Sequence, residues 1–243
     1  MILKRAFDLL ASSVGLLALS PLLLAVMFAI WMQDRESPFY IAPRVARGGG
    51  VFKMVKFRSM VVNADKIGGS STAVTDRRIT PVGQFVRAYK LDELIQLWNV
   101  FKGDMSLVGP RPQVLSDAAL YTNEEKRMLT VRPGITDPAS IVFSDEGEIL
   151  KGSADPDQKY NEIIRPWKSR LALAYIDHRS FSTDLWLIVL TVVAIISKHK
   201  ALRGLGMLLQ DWRLDPLVIR MAARQEPLLA YPPPGAEPFV HHS

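Results

Sequence analysis

LLASSVGLLALSPLLLAVMFAIWM, residues 9–32, carries no charged side chain across 24 consecutive positions. As a helix such a run reaches across the roughly 30 Å of a bilayer's hydrocarbon core. A secretory leader has a shorter apolar core and then small residues at a cleavage site. Here Phe28, Ile30, Trp31 and Met32 lead straight into Gln33-Asp34-Arg35-Glu36, so residues 1–34 read as a retained membrane element. Pro21 lies near the middle, directly after Ser20. Proline removes one backbone donor and clashes with the carbonyl four residues earlier, which predicts a kink. The Ser20 hydroxyl, or a neighbouring polar group, is expected to compensate carbonyls that Pro21 frees. Lys4 and Arg5 precede the run, and Arg35, Arg44, Arg47, Lys53, Lys56 and Arg58 follow it. Positive charge on both flanks disfavours moving either flank across the membrane. A bent, re-entrant helix that enters and leaves by one face meets both conditions. An ordinary kinked spanning helix and a buried helix of a soluble protein are the alternatives. Asp8 stands four and three residues after Lys4 and Arg5, which reads as a helical ion pair.

Around this segment the composition is that of a folded chain. Of 243 residues, 49% are hydrophobic and 22% charged, which excludes a disordered or collagen-like polymer. The length suits one domain with an appendage. Cysteine is absent, excluding a disulfide framework, a thiolate nucleophile and any Cys-ligated metal. Thirty basic and 24 acidic residues leave a net charge of +6. That excess suits nucleic acid, a membrane surface or an anionic substrate. No recognition helix or aromatic-interleaved platform accompanies it, so nucleic acid is set aside.

The charge pattern concentrates in the middle of the chain. In residues 39–60, FYIAPRVARGGGVFKMVKFRSM, the triplet Gly48-Gly49-Gly50 between β-type residues predicts a hairpin. Lys53, Lys56 and Arg58 alternate with apolar residues, which reads as a strand presenting bases on one side. Residues 63–75, NADKIGGSSTAVT, read as a mobile loop. Further on, Leu94, Leu97, Trp98 and Phe101 form an apolar helical stripe, with Gly103 as its stop. Asp92 and Glu93 then open that helix, where capping and the helix dipole alone account for two acids. Their company suggests more. Arg77, Arg78, Arg87, Lys90, Lys102 and Arg111 all lie nearby. A carboxylate pair in a basic field suits Mg²⁺-assisted chemistry on a phosphate ester, with arginine forks on the non-bridging oxygens. Pro110-Arg111-Pro112 stiffens the backbone around one arginine, and Val131-Arg132-Pro133-Gly134 repeats the device.

Toward the end, Tyr160, Ile163, Ile164 and Trp167 are expected to face inward from a helical stretch. Residues 185–196 offer only 12 apolar positions, too few to span, and predict a buried or interfacial helix closed by Lys198, His199 and Lys200. Residues 201–225 read as either a packing helix or a basic amphipathic segment on the membrane. The Pro-rich stretch from Pro227 reads as an extended tail, and His241 and His242 are too few for a metal site.

Taken together, KFRSM (56–60), DRRIT (76–80), KLDELIQLWNVFKGDMSLVGPRP (90–112) and VRPGIT (131–136), behind a Ser-Pro-marked hydrophobic segment, closely resemble the bacterial monotopic phosphoglycosyl transferases. The resemblance covers residues 1 to about 196. It implies an α+β fold: a re-entrant anchor over residues 1–34 and a mostly helical cytoplasmic catalytic domain over 35–200 carrying a small β hairpin. Residues 201–243 form a C-terminal amphipathic segment and Pro-rich tail. It implies transfer of a sugar 1-phosphate from a UDP-sugar to polyprenyl phosphate, with release of UMP, in glycoconjugate or exopolysaccharide synthesis. Asp92 would be the nucleophile and Glu93 its partner, both near Mg²⁺. Lys56, Arg58, Arg78, Arg87, Arg111 and Arg132 would meet substrate phosphates, and Ser20-Pro21 would mark the membrane break. The implied setting is the cytoplasmic face of the bacterial inner membrane, with membrane lipid as a partner and homo-oligomerisation open. The chain departs from the family's common pattern at Ala42, Ala46, Ile95, Asp137 and Ser140. The departures at 42, 46, 137 and 140 keep alive an alternative from another class, a catalytically impaired membrane scaffold or sugar-nucleotide-binding subunit.

Overall fold

A computed structural model describes residues 2–67, 72–73 and 75–236. Helix α1, Ile2–Asp34, is one uninterrupted run of 33 residues, about 50 Å at 1.5 Å per residue. The break expected at Ser20-Pro21 is therefore not an interruption of the helix. Pro21 cannot donate to Leu17 O, and the Ser20 hydroxyl donates to that carbonyl instead, at 2.8 Å. One face of α1 sets Leu16, Leu19, Leu23, Val26 and Ile30 against Phe57, Val86, Leu91 and Leu94. The other exposes Leu10, Val14, Leu17, Leu24 and Phe28. By length and composition the helix suffices to cross a membrane.

Both ends of α1 are tied to the same body. Near its start, Lys4 donates to Asp184 (2.5 Å) and to Val108 O (2.9 Å). Arg5 donates to Val100 O (2.6 Å) and Phe101 O (2.9 Å). Asp8 accepts from Ser106 Oγ (2.8 Å) and from the Leu107 N–H (3.1 Å). The ion pair expected among these three is absent, because each faces a fixed polar partner on the docked domain and Asp8 is buried among donors. At the other end Asp34 receives both arms of Arg58, at 2.6 and 2.7 Å.

Strands β1, Phe39–Val45, and β2, Val51–Phe57, form the expected antiparallel hairpin, with Phe39 opposite Phe57 and Val45 opposite Val51. Gly48 and Gly49 take the positive φ (82° and 84°) that its turn requires. The bases do not share one side. Side chains alternate along a strand, so Lys53 and Lys56, three apart, point to opposite faces. Both faces are covered: Phe52 and Met54 pack on Val100 and Met105, and Phe57 on α1.

Next come α2, Pro81–Ala88, a 3₁₀ turn, Leu91–Gln96, and α3, Leu97–Lys102, ended by Gly103 at φ 95° as expected. Asn99 locks α3 to β2, accepting from Val55 N–H (2.9 Å) and donating to Lys53 O (2.8 Å). Strand β3, Ser106–Val108, pairs in parallel with β4, Gly134–Thr136. That pairing brings the two Arg-Pro devices side by side, with Gly134 N–H donating to Pro110 O at 2.9 Å. A Cβ on Gly109 would lie 2.4 Å from Arg132 O, so only glycine fits this crossing.

The remaining chain is helical. Short helices α4 (Leu115–Ala119), α5 (Pro138–Val142), α6 (Glu146–Ile149) and α7 (Pro156–Lys159) precede a π turn, Tyr160–Ile164, and α8, Arg165–His178. Tyr160, Ile164 and Trp167 are buried as expected. Helix α9, Phe181–Ile196, buries Leu187 and Leu190 while Val192, Ile195 and Ile196 stay exposed. Ser197 ends α9, so Lys198, His199 and Lys200 open α10, Lys198–Asp211, instead of closing α9. Lys198 pairs there with Asp145 at 2.7 Å. Helix α10 and α11, Pro216–Ala223, place Leu205, Leu209 and Met221 in one core with Ile141, Trp167 and Leu187, which favours the packing reading of residues 201–223. The Pro-rich segment is extended and docked, with Tyr231 against Trp167 at 5.0 Å between ring centres. Gly68–Ser71 and Val74 of the polar loop, and His241 and His242, lie outside the described residues.

Candidate active site

Lys90 sits in the left-handed region (φ 56°), an uncommon backbone state for a side chain of its size. Its ammonium donates to Ser144 O at 2.9 Å. The turn that follows carries Asp92 and Glu93 in succession. Because that turn is 3₁₀, with about three residues per turn, the expected stripe loses phase. Leu94 packs against α1, whereas Trp98 and Phe101 remain exposed and stack at 5.8 Å. Neither acid caps the turn.

The two acids have opposite surroundings. Glu93 accepts from Lys56 Nζ at 3.1 Å, and both arms of Arg111 close on it, Nη1 to Oε2 at 3.1 Å and Nη2 to Oε1. Burial alone would raise its carboxyl, but Arg111 and Lys56 outweigh that and hold it well below the usual range. Asp92 is 8% exposed and has no hydrogen-bond partner among the described residues. Burial pushes its carboxyl up; the Lys56 charge pulls it down, Glu93 raises it further, and Arg87 and Arg111 lower it. Lys56 in turn is held below its ordinary value by burial, against the pull of Glu93.

The fold thus gathers Asp92, Glu93, Lys56 and Arg111, with Arg87 acting on Asp92 by its charge. Three other arginines are engaged elsewhere. Arg58 grips Asp34 and donates to Ser37 O at 2.7 Å. Arg78 forks onto Asp76 (2.7 and 3.0 Å) and donates to Ala64 O at 3.0 Å. Arg132 donates to Gly103 O at 3.0 Å, in the neighbourhood of Arg5 and Arg47. Ser20 and Pro21 stay on α1.

Beside Arg111 opens a small cleft lined by Arg111, Tyr121, Asp137, Tyr160, Arg165 and Lys168 among others. Most of this wall carries no sequence motif. Lys168 pairs with Glu146 and stands 5.2 Å from the ring centre of Tyr160. Only the spacing of a helical face on α8 places Arg165 and Lys168 together.

Mg²⁺ commonly binds through one or two carboxylates, with substrate phosphates and waters completing its shell. No cluster of three acidic or histidine ligands exists among the described residues, so a closed protein cage is not offered. Among the described residues Asp92 has no side-chain hydrogen bond, and Glu93 Oε2 accepts one, from Arg111. The pair fits an ion of that open kind. Chemically, the arrangement supplies a free buried carboxylate beside fixed cations able to hold phosphoryl oxygens.

A family model described as bacterial sugar transferase matches residues 1–198. The chain is 38% identical over 208 residues to an undecaprenyl-phosphate glucose phosphotransferase of Komagataeibacter xylinus, covering 83% of this chain and 37% of that one. It is 34% identical over 196 residues to an uncharacterized sugar transferase, EpsL, of Bacillus subtilis, covering 81% and 88%. It is 36% identical over 143 residues to a UDP-N-acetylgalactosamine-undecaprenyl-phosphate N-acetylgalactosaminephosphotransferase of Aeromonas hydrophila, covering 58% and 34%. The chain spans less than two thirds of the length of seven of the curated relatives it matches.

Proposed function

The chain belongs to the bacterial sugar transferase family, and from that premise we propose that it moves a sugar 1-phosphate from a UDP-sugar to polyprenyl phosphate, releasing UMP. The observation that carries this reading is the asymmetry of the acidic pair. Asp92 is buried, unbonded and ringed by Lys56, Arg87 and Arg111, while Glu93 is fixed by two of those cations. The names of the Komagataeibacter and Aeromonas relatives supply the class of acceptor and donor.

In this reading an Asp92 oxygen attacks the sugar-bearing phosphorus of the donor. The bond from that phosphorus to the UMP oxygen breaks, and UMP leaves. A phosphate oxygen of the polyprenyl acceptor then attacks the same phosphorus and frees Asp92. Two steps let a water-soluble donor and a lipid acceptor use one site in turn. Lys56 and Arg111 hold phosphoryl oxygens as charge builds on them. Glu93 keeps those two cations in place. Mg²⁺, held by Asp92 and Glu93, would supply further neutralisation of phosphate charge.

The docking of α1 supports a monotopic placement on the membrane. A helix with one end delivered to the far side would not have both ends bonded to one domain, as Lys4–Asp184 and Arg58–Asp34 are. The exposed apolar face of α1 then lies in lipid and keeps the acidic pair near the headgroups. The cytoplasmic face of the bacterial inner membrane, where UDP-sugars are made, is the setting this reaction requires.

The test is UMP release from a panel of UDP-sugars, with and without undecaprenyl phosphate and Mg²⁺. Sustained release should need the acceptor. Without acceptor, labelled sugar phosphate should remain on the protein in a hydroxylamine-sensitive linkage. Donor binding with no UMP release from any sugar would replace the enzyme by the binding-subunit alternative.

A further inference from the structure

Asp137 is 1% exposed and lines the cleft beside Arg111. Its Oδ1 accepts from the Ser140 N–H at 2.7 Å and so caps α5. Among the described residues its Oδ2 lies within hydrogen-bond distance of no partner, and neither does the buried hydroxyl of Ser140, another residue of the same wall, although the Ser140 side chain favours the Asp137 carboxylate against the burial that raises it. Two buried polar atoms with no partner beyond each other, on residues that line one cleft, are an expensive arrangement for a fold to keep unless something completes them. Arg111, one of three cations lining the cleft with Arg165 and Lys168, also grips Glu93, so a donor whose phosphates meet Arg111 has this wall within reach of its remaining parts. Tyr160 and Lys168 stand on the same wall, and Lys168 is itself paired with Glu146.

We propose that Asp137 Oδ2 and Ser140 Oγ are specificity-determining groups that hydrogen-bond the polar edge of a ring in the bound nucleotide sugar. This rests on the donor assignment above. The chemistry required is a ring bearing O–H or N–H donors next to an acceptor. The sugar and the uracil both offer it, and the test separates them. Asp137 supplies an acceptor of fixed direction, because its other oxygen is held by the helix cap. Ser140 supplies a hydroxyl that can donate or accept.

The experiment measures binding of UDP-sugars and of UMP by calorimetry to the full chain in detergent, for wild type, Asp137→Asn and Ser140→Ala. Asparagine caps a helix about as well as aspartate, so the first change retains the Ser140 N–H bond and replaces Oδ2 by a donor. The second removes only a hydroxyl. Thermal melts of both variants should stay close to wild type. Asp137→Asn should weaken UDP-sugar binding about tenfold and Ser140→Ala about threefold, the range for one lost hydrogen bond. Equal weakening of UMP assigns the contact to uracil. Unchanged UMP binding with altered ranking among UDP-sugars assigns it to the sugar. Unchanged binding of every probe, whether or not the melts shift, overturns the proposal and leaves the transfer reaction standing. Wild type that binds no UDP-sugar overturns both. Discrimination that persists without UMP release overturns the reaction and retains this contact.

Discussion

Glu125 and Asp92 are both buried acids, yet the fold treats them in opposite ways. Glu125, 0% exposed, accepts from Arg165 Nε (3.2 Å) and Nη2 (2.6 Å), from Ser169 Oγ (2.7 Å) and from the Thr122 N–H (3.0 Å). Every lone-pair direction of its carboxylate is used, and the result is a rivet between α8 and the 3₁₀ turn Glu125–Thr130. Asp92 has cations around it and hydrogen bonds from none of the described residues. A carboxylate with all its acceptor sites filled has nothing left to react with. One kept unbonded in a basic pocket is costly for stability and available for chemistry. Satisfaction of the group, more than its burial, separates the two roles.

The largest effect expected from this contrast is on Asp92. Asp92→Asn should reduce turnover by at least about a thousandfold, as loss of a covalent nucleophile does, measured as UMP release. The same variant should melt higher than wild type at neutral pH. The sign follows from burial raising the folded-state carboxyl above its unfolded value of 3.8. A group so shifted stabilises the fold fully below that unfolded value, and the contribution is lost as pH rises through the folded value. Wild type should therefore lose stability relative to the asparagine variant across that window. Activity should change in the other direction, rising with pH as Asp92 ionises. An asparagine variant that melts lower at neutral pH would show Asp92 to be a satisfied acid like Glu125.

Glu125→Gln is the reverse experiment and the next in size. Removing one partner of a buried ion pair leaves Arg165 uncompensated and costs about 3 kcal/mol, read from urea unfolding. Activity per folded molecule should fall far less than for Asp92→Asn, since Glu125 lies behind the wall of the cleft. Equal losses of turnover in the two variants would erase the distinction.

The parts that were legible from residues alone are those governed by local rules. The long apolar run, the Gly-rich hairpin turn, the Gly103 stop and the inward Tyr160 and Trp167 all follow from chain geometry acting within a few residues. The acidic pair and Arg111 were legible as residue types, and the structure brings them together with Lys56. Long-range pairing was not legible. Nothing local says that Asp8 turns from Lys4 and Arg5 to Ser106, or that Arg58 reaches back to Asp34, 24 positions away. The phase of the Leu94 stripe failed because a 3₁₀ turn and an α-helix share residue preferences while differing in pitch. The cleft wall was illegible because Tyr121, Asp137, Tyr160 and Lys168 come from separate elements that only the tertiary fold assembles.

The smallest predicted effect tests the contrast among arginines. Arg58 and Arg111 carry the same group, and the basic motifs that hold them made both look like phosphate ligands. Arg111 holds Glu93 of the acidic pair and lines the cleft; Arg58 holds Asp34 at the end of α1 and points both arms and its Nε at protein acceptors. Lysine keeps the charge and loses the planar fork. Arg58→Lys should therefore cost about 1 kcal/mol, since the pair is buried on the arginine side and part-exposed on the aspartate side. The loss should appear in the melt, with the KM for the UDP-sugar unchanged. Arg111→Lys should raise that KM, because a single ammonium cannot hold Glu93 and a phosphate in the same geometry. If Arg58→Lys raised the donor KM as much as Arg111→Lys while leaving the melt alone, Arg58 would have to leave Asp34 during the reaction, and the division between clamping and reacting groups would not apply to it.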